Sequence, residues 1–309
     1  MTVDVTVVGG GISGLACARA VTDAGGSVRV LDRGRRVGGR LSSRTIDGRA
    51  VDLGASYFVV GEEAGFGRVV ADWEERGLAR PWTDTFQVLD ADGGQTPKPG
   101  PMRWAAPSGL RSLALDLADG LDVFSERVVE RVEPYRVDGE DAGEVVLAMP
   151  APQARRLTDQ APGGDQDWEP VIAVVLRWPE RMWDADLHGA FTDGDADVSF
   201  IADDGDRRGD GAPVLVVHTT ADRARRHLDD PEGAVGPVLA ATRRLLRIDV
   251  DPVATYAHRW TFARPGQTTG QSYFRSPGLS ACGDAWGRSA AVRTAWTSGD
   301  ALGRALTAS

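Results

Sequence analysis

The run from Val3 to Gly14 constrains this chain more than any other. Val3-Asp4-Val5-Thr6-Val7-Val8 reads as a buried parallel strand, and it passes directly into Gly9-Gly10-Gly11-Ile12-Ser13-Gly14 and then a helix. The spacing is G-x-G-x-x-G. Gly9 permits the tight turn, Gly11 lets a pyrophosphate approach the backbone, and Gly14 lets the helix pack close on the strand. The helix N-terminus then offers free N–H groups to phosphate. A second strand, Ser27–Leu31, ends at Asp32, where a ribose hydroxyl would be held. Alone the glycine pattern is weak. With strand, helix and acid in order it predicts a dinucleotide site, with Ile12 and Ser13 at the helix start.

Composition bounds what else the chain can be. Its 309 residues suggest two domains, and 42% hydrophobic with 26% charged residues is ordinary for a soluble globular protein. A net charge of −10 argues against nucleic acid or an anionic membrane as main partner. No apolar run reaches the length of a membrane span. Cys17 and Cys282 show no zinc or redox spacing, and His188, His218 and His227 no metal-ligand pattern, so no metal is expected. The strand predicted from residue 3 leaves no room for a signal peptide, and a cytoplasmic location is the expectation. Lys98 is the one lysine, against 34 arginines.

Taken in order, the first helix should run from Ile12 to Ala24 and stop at Gly25-Gly26. After Asp32 comes Arg33-Gly34-Arg35-Arg36-Val37-Gly38-Gly39-Arg40-Leu41, in which Gly38 and Gly39 again allow close backbone approach and Arg40 can neutralise a diphosphate. Thr85–Leu89 and the turn Asp92-Gly93-Gly94 suggest a hairpin, whereas the proline-rich run from Thr96 to Pro101 reads as irregular. A helix is expected over 110–118, a strand over 143–149, and a helix started by proline after it. In the middle of the chain 171–177, 189–192, 198–202, 214–218 and 253–262 are strand candidates, and 233–248 a helix. The acidic run 203–211 reads as a solvated loop, since its spacing is not that of a calcium loop. In the run from Tyr256 to Pro265, alternation places His258, Trp260 and Phe262 on one strand face, which suits a flat substrate ring.

GGGISG, Asp32, RRVGGRLSS and Asp52-Leu53-Gly54-Ala55-Ser56-Tyr57-Phe58 together resemble the flavin amine oxidase superfamily, and within it the renalase-like proteins. The Arg103–Leu110 run, VVLAMPAPQA, the His-Arg-Trp run and Cys282-Gly283-Asp284 extend the resemblance over nearly the whole chain. It implies non-covalent FAD and an α/β fold: a Rossmann-like FAD-binding domain from residues 1–56, 102–160 and 276–309, and an antiparallel-sheet substrate domain from 57–101 and 161–275. By resemblance Gly54, Ala55 and Ser56 lie near the flavin ring, the Val128 backbone meets the adenine, Gly283 and Asp284 meet the ribityl–pyrophosphate region, and the helix beginning near Val292 points at the flavin pyrimidine. Tyr57 and Trp104 join the aromatic strand as candidate substrate contacts. The sequence departs from the resemblance at Phe200, at the acidic run, and at Arg293, where an acid is common.

The resemblance also implies a reaction. Hydride would pass from a small molecule to flavin N5, with molecular oxygen as acceptor, and no side chain is singled out as catalytic. Many amine oxidases of the superfamily hold a water with a lysine near N5, and Lys98 in its proline-rich setting is a poor candidate. A dihydropyridine donor needs no general base, because hydride loss makes its ring aromatic. Renalase-like proteins are associated with oxidising misreduced isomers of NAD(P)H, so the resemblance implies that substrate class, and the sparse acid–base inventory agrees with it. The alternatives are a flavin oxidase of an amine or secondary metabolite, and a non-catalytic FAD-binding module.

Overall fold

The computed structural model describes residues 4–163 and 166–308. In chain order its first part comprises β1 (Val5–Val8), α1 (Ile12–Asp23), β2 (Val28–Leu31), β3 (Ser43–Ile46), β4 (Arg49–Asp52), β5 (Phe58–Val59), α2 (Ala64–Glu75), β6 (Arg80–Leu89) and β7 (Gln95–Ala105). Next come α3 (Arg111–Ala118), β8 (Asp122–Phe124), the two-residue strands β9 (Val132–Glu133), β10 (Arg136–Val137) and β11 (Glu140–Asp141), β12 (Glu144–Leu147), α4 (Ala151–Ala154) and β13 (Trp168–Arg177). Then follow β14 (Gly189–Thr192), β15 (Val198–Asp203), α5 (Asp204–Arg208), β16 (Val214–Thr219), α6 (Ala221–Arg226), α7 (Val235–Leu246), β17 (Ala254–Pro265), β18 (Phe274–Ser276), β19 (Leu279–Ala281) and α8 (Val292–Thr307).

Two sheets organise these elements. The first has the order β18-β19-β12-β1-β2-β8. Every neighbouring pair in it is parallel except β18–β19. The chain leaves β1 for β2 on one side and returns as β12 on the other. That reversal opens a crevice beyond the carboxyl end of β1, where ligands of such sheets bind. Helix α1 covers this sheet and α8 lies on α1. A Cβ on Gly299 would stand 1.9 Å from the Ser13 carbonyl, and one on Gly303 2.5 Å from that of Cys17. These two glycines therefore set the helix spacing and bring the N-termini of α1 and α8 to the same crevice.

The second sheet has the order β17-β13-β16-β15-β14-β6-β7-β5. One face of β13, with Ile172, Val174 and Leu176, packs on Val238, Ala241 and Leu245 of α7. Its other face, with Ala173 and Val175, packs on Val51 and Leu53 at the end of β4. This second contact seats the sheet over the crevice of the first. No helix among the described residues is long and apolar enough to cross a membrane.

Three expectations are corrected here. The sheet is mixed rather than antiparallel, because β14 pairs parallel with β6. The proline-rich run is a strand, with Pro97 opposite Gln87 and Pro99 opposite Thr85. Pro97 and Pro99 occupy alternate positions of that pairing, and Pro101 lies in the irregular stretch between Pro99 and Arg103. Among the described residues the side of β7 away from β6 is paired only at Val59–Arg103 and Phe58–Trp104. Proline is tolerated on such an edge and blunts it against further pairing. The acidic run is not a solvated loop. Residues 204–208 form α5, capped by the Asp203 carboxylate accepting from the Asp206 N–H, and Asp204 and Arg207 are fully buried.

Candidate functional site

One cavity of about 2390 Å³ lies between the two sheets. Ligand pockets usually span about 300–1,000 Å³, so this one has room for a large cofactor and a second molecule together. It is lined by Gly9, Gly11, Ile12, Ser13, Asp32, Arg33, Gly38, Gly39, Arg40 and Leu41 from the first strand–helix unit and the loop after β2. Gly54, Ala55, Ser56, Tyr57, Val128, His258, Trp260, Phe262, Gly283, Asp284 and Val292 also line it. Two of the sequence-selected residues lie elsewhere, Gly14 and Trp104.

The three glycines of the opening motif do three different things. Gly9 has φ +116°, and a Cβ there would meet the Ala148 carbonyl at 2.5 Å. A Cβ on Gly14 would stand 2.1 Å from the Gly9 carbonyl, so this residue works in helix–turn packing rather than in the cavity wall. A Cβ on Gly11 would meet nothing within 4 Å and would project into open space. The first N–H groups of α1, without partners inside the helix, open on that space. Asp32 fixes the turn: its two carboxylate oxygens accept from the N–H groups of Gly10 at 2.6 Å and Gly34 at 2.7 Å.

Arg40 and Asp284 face one another. Nη1 and Nη2 of the guanidinium donate to the two carboxylate oxygens at 2.7 and 2.6 Å, and Nη1 also donates to the Ala263 carbonyl at 3.0 Å. The segment after β4 is held at nearly every residue. The Leu53 N–H donates to Ser42 and the Leu53 carbonyl accepts from Trp260 Nε1 at 2.8 Å. The Ala55 N–H donates to the Arg40 carbonyl at 2.9 Å. The Ser56 carbonyl accepts from Arg207 Nη1 at 2.8 Å. Arg207 and Arg208 sit between Asp52 and Asp204, with Arg49 also on Asp204. Their charges hold the Asp204 carboxyl down at about 2, despite burial that pushes the other way. Arg207 and Arg208 stand in the acidic run that reads from sequence as a solvated loop. Nothing in their order shows that they fold back on Asp52, some 150 residues earlier.

At the other end of the cavity the second sheet supplies one row of cross-strand neighbours: Phe191, Phe200, His218, Ala173 and His258. The rings of Phe191 and Phe200 are 5.0 Å apart, and those of His258 and Trp260 4.6 Å. Tyr57 joins the row, 6.1 Å from Phe200. His218, which spacing alone gave no reason to select, lines the cavity at 8% exposure. Burial, then Arg264 and Arg207, lower its pKa to about 3, so the ring is neutral. His258 is lowered for the same reasons, with burial first and Arg44 and Arg259 after it.

Trp104 is a correction. On β7 it alternates with Arg103 and points to the opposite layer, where its ring stacks on Phe58 at 6.4 Å within the core around α2. Its place is core packing. Lys98 lies on the exposed stretch of β7 and does not line the cavity. Arg293, in the first turn of α8, crosses Gly61 toward Glu63 at 3.4 Å. Gly61 has φ +73°, and a Cβ there would collide with that guanidinium, so Gly61 and Arg293 form a matched pair at the cavity rim.

These features fit an extended flavin dinucleotide. Gly11 leaves room beside free N–H groups, the α8 N-terminus opens on the same cavity, and the buried Ser56 hydroxyl there has no partner. The family profile described as flavin containing amine oxidoreductase matches residues 62–301, and an NAD(P)-binding Rossmann-like domain profile matches residues 7–72. The chain is 35% identical over 97 residues to carotenoid 3,4-desaturase of Haloarcula japonica, which is 30% of this chain and 19% of that protein. It is 54% identical over 55 residues to flavin-containing amine oxidase B of Rattus norvegicus, which is 18% of this chain and 11% of that protein. These matches thus span well under two thirds of either relative. Among solved structures, a redesigned putrescine oxidase superposes with a TM-score of 0.78 at 17% identity, covering 100% of both chains, a likeness of fold.

Proposed function

The chain belongs to the flavin containing amine oxidoreductase family, an FAD-dependent class of enzymes, and on that premise we propose that it takes hydride from a planar, phosphate-bearing small molecule. The substrate in this reading is a dihydronicotinamide dinucleotide, most specifically an isomer of NAD(P)H misreduced at ring position 2 or 6, with oxygen as final acceptor. One observation carries the choice. The cavity wall holds twelve arginines against five carboxylates, and no lysine among the described residues, in a chain of net charge −10. Such a wall concentrates anions and opposes a protonated amine. The diphosphate of FAD accounts for only part of the excess.

The proposed division of labour follows the two sheets. Residues 1–56, 102–160 and 276–309 hold the cofactor, and 57–101 with 161–275 present the substrate. Gly9, Gly11, Ile12, Ser13, Gly38 and Gly39 offer backbone to the pyrophosphate, while Arg40 and Asp284 hold its flank. Asp32 fixes the turn, Arg33 and Val128 stand at the adenosine end, and Leu41 supports the loop. Gly54, Ala55, Ser56 and the N-terminus of α8 at Val292 border the ring. Binding is non-covalent. When bound there, FAD supplies the hydride-accepting N5. Tyr57, Trp260, Phe262 and the neutral His258 and His218 hold a flat donor ring and exclude water. No side chain needs to take a proton, because hydride loss makes a dihydropyridine aromatic.

Anaerobic mixing of the yellow protein with a donor panel tests this. Dihydronicotinamides reduced at position 2 or 6 should bleach the flavin rapidly, and ordinary NADH and NADPH far more slowly. Bleaching by an amine alone would overturn the reading. That second reading, oxidation of an amine, is favoured by the family to which the chain belongs and by its local likeness to flavin-containing amine oxidase B.

A further inference from the structure

Arg40 and Arg293 in the cavity wall each face a carboxylate. Arg44 and Arg259, in the same wall, make no ion pair among the described residues. Both are nonetheless held in place, and by neutral groups. Arg44 Nη1 donates to the Tyr256 hydroxyl at 2.6 Å, and its guanidinium carbon lies 4.6 Å from the centroid of the Tyr256 ring. Arg259 Nη1 donates to the Leu228 carbonyl. Each contact orients a guanidinium through one of its N–H groups and leaves the charge uncompensated.

Two elements far apart in the chain bring these charges to His258. Arg44 stands on β3, and Tyr256, His258 and Arg259 stand on β17. Tyr256 and His258 share one face of that strand, and Arg259 follows on the other. β17 is the outer strand of its sheet, paired among the described residues only with β13. Side chains of both its faces therefore border the open edge, where Leu228 and Asp229 continue the cavity wall. Both arginine residues are exposed there, so an anion has access to them. After burial, Arg44 and Arg259 are the groups that lower the pKa of His258, which puts their charges beside that ring. Asp229, the carboxylate of this stretch, pairs with neither arginine among the described residues.

We propose that Arg44 and Arg259 form an anion clamp at the open edge of β17, taking phosphate oxygens of the substrate and so seating its ring against His258 and Trp260. The identification of that anion as substrate phosphate rests on the dihydronicotinamide dinucleotide reading, whereas the clamp itself does not. A guanidinium presents a planar fork suited to such oxygens, and two forks held in advance by neutral partners lose little freedom when the anion arrives.

The test titrates the FAD-loaded protein with inorganic pyrophosphate in a calorimeter and reads flavin content alongside. Wild-type protein should bind the probe. Arg44→Gln and Arg259→Gln should each bind it at least fivefold more weakly with unchanged flavin content, and the alanine variant at the same position is read by the same criteria should a glutamine variant not fold. Arg293→Gln removes a charge from the wall beside Glu63 and should change binding less than twofold. Pyrophosphate should raise the KM of a phosphate-bearing dihydronicotinamide and leave that of its riboside unchanged. Absent binding by wild type, unchanged binding in either clamp variant, an equal loss in Arg293→Gln, or equal inhibition of both donors would overturn the proposal. Flavin lost together with pyrophosphate binding would assign the two arginines to the cofactor and overturn it as well. If pyrophosphate binding depends on both arginines while no dihydronicotinamide reduces the flavin, the anion clamp stands and the substrate reading falls.

Discussion

Arg40 and Asp284, 244 residues apart, form a two-point fork at 2.7 and 2.6 Å that joins the loop after β2 to the loop after β19 across the cavity. Read separately from sequence, each is a cofactor contact of its own kind. In the structure each is also the other's partner. Neither can be removed without releasing a charge that the other had compensated.

A double-mutant cycle should therefore show strong coupling. Arg40→Ala and Asp284→Ala should each weaken FAD binding by roughly 1.5–3 kcal/mol, the scale of a charge-assisted hydrogen bond. The double variant should lose clearly less than the sum, with a coupling of about 0.5–3 kcal/mol. Additive losses, measured by flavin fluorescence titration, would mean that the two residues act on FAD independently.

The glycines should separate by role. Gly11→Ala adds a methyl in open space, so thermal stability without FAD should stay within a few degrees of wild type while FAD affinity falls. Gly14→Ala drives a methyl to 2.1 Å from the Gly9 carbonyl and should lower stability whether or not FAD is present. Comparable losses of apo stability in both variants would contradict this assignment.

What was legible in sequence was what is local. The strand–turn–helix of Val5 to Asp23 and the acid that ends β2, Asp32, declare themselves by order and spacing, because the physics acts over a few residues. The prolines of β7 misled because their cost depends on whether a neighbouring strand needs the missing N–H, and on the side away from β6 this stretch has no paired neighbour among the described residues. The acidic run misled for a longer-range reason. Charge alone suggests solvent, but Arg207, Arg208 and Arg49 compensate Asp204 in the interior, and Arg49 is distant in the chain. Trp104 stands in a segment that resembles the family, but which face of β7 it occupies depends on a register that sequence does not show, and that register turns it to the core around α2.

Acid should destabilise the protein through His218. Its ring has a folded pKa of about 3 against an ordinary 6.5. Between those values the unfolded chain binds a proton that the folded chain does not, so stability falls as pH drops from 6.5 toward 3. His258, also lowered, acts in the same direction. Asp204, lowered from 3.8 to about 2, adds a loss only below about pH 4. Urea midpoints measured from pH 6.5 to 5, above the carboxylate range, should therefore decline less steeply in His218→Gln than in wild type. Equal slopes would show that this ring titrates normally.

The arginine excess of the cavity predicts a salt dependence that follows substrate charge. With twelve arginines against five carboxylates in its wall, and the FAD diphosphate offsetting only part of the difference, the loaded cavity stays positive. A donor carrying a diphosphate gains from that field, one carrying a single phosphate gains less, and an uncharged riboside gains nothing. Screening shortens the reach of the field to about 8 Å at physiological ionic strength and about 3 Å at 1 M salt. At low salt the KM for flavin reduction should thus rise from dinucleotide to mononucleotide to riboside. Raising the salt should draw the three values together mainly by weakening the dinucleotide. The rate at saturating donor should change little, because the field acts on encounter and binding rather than on the geometry at N5. Stopped-flow reduction with the three donors at several salt concentrations gives both quantities. A salt response identical for the dinucleotide and the riboside would remove the electrostatic basis for preferring an anionic donor over an amine.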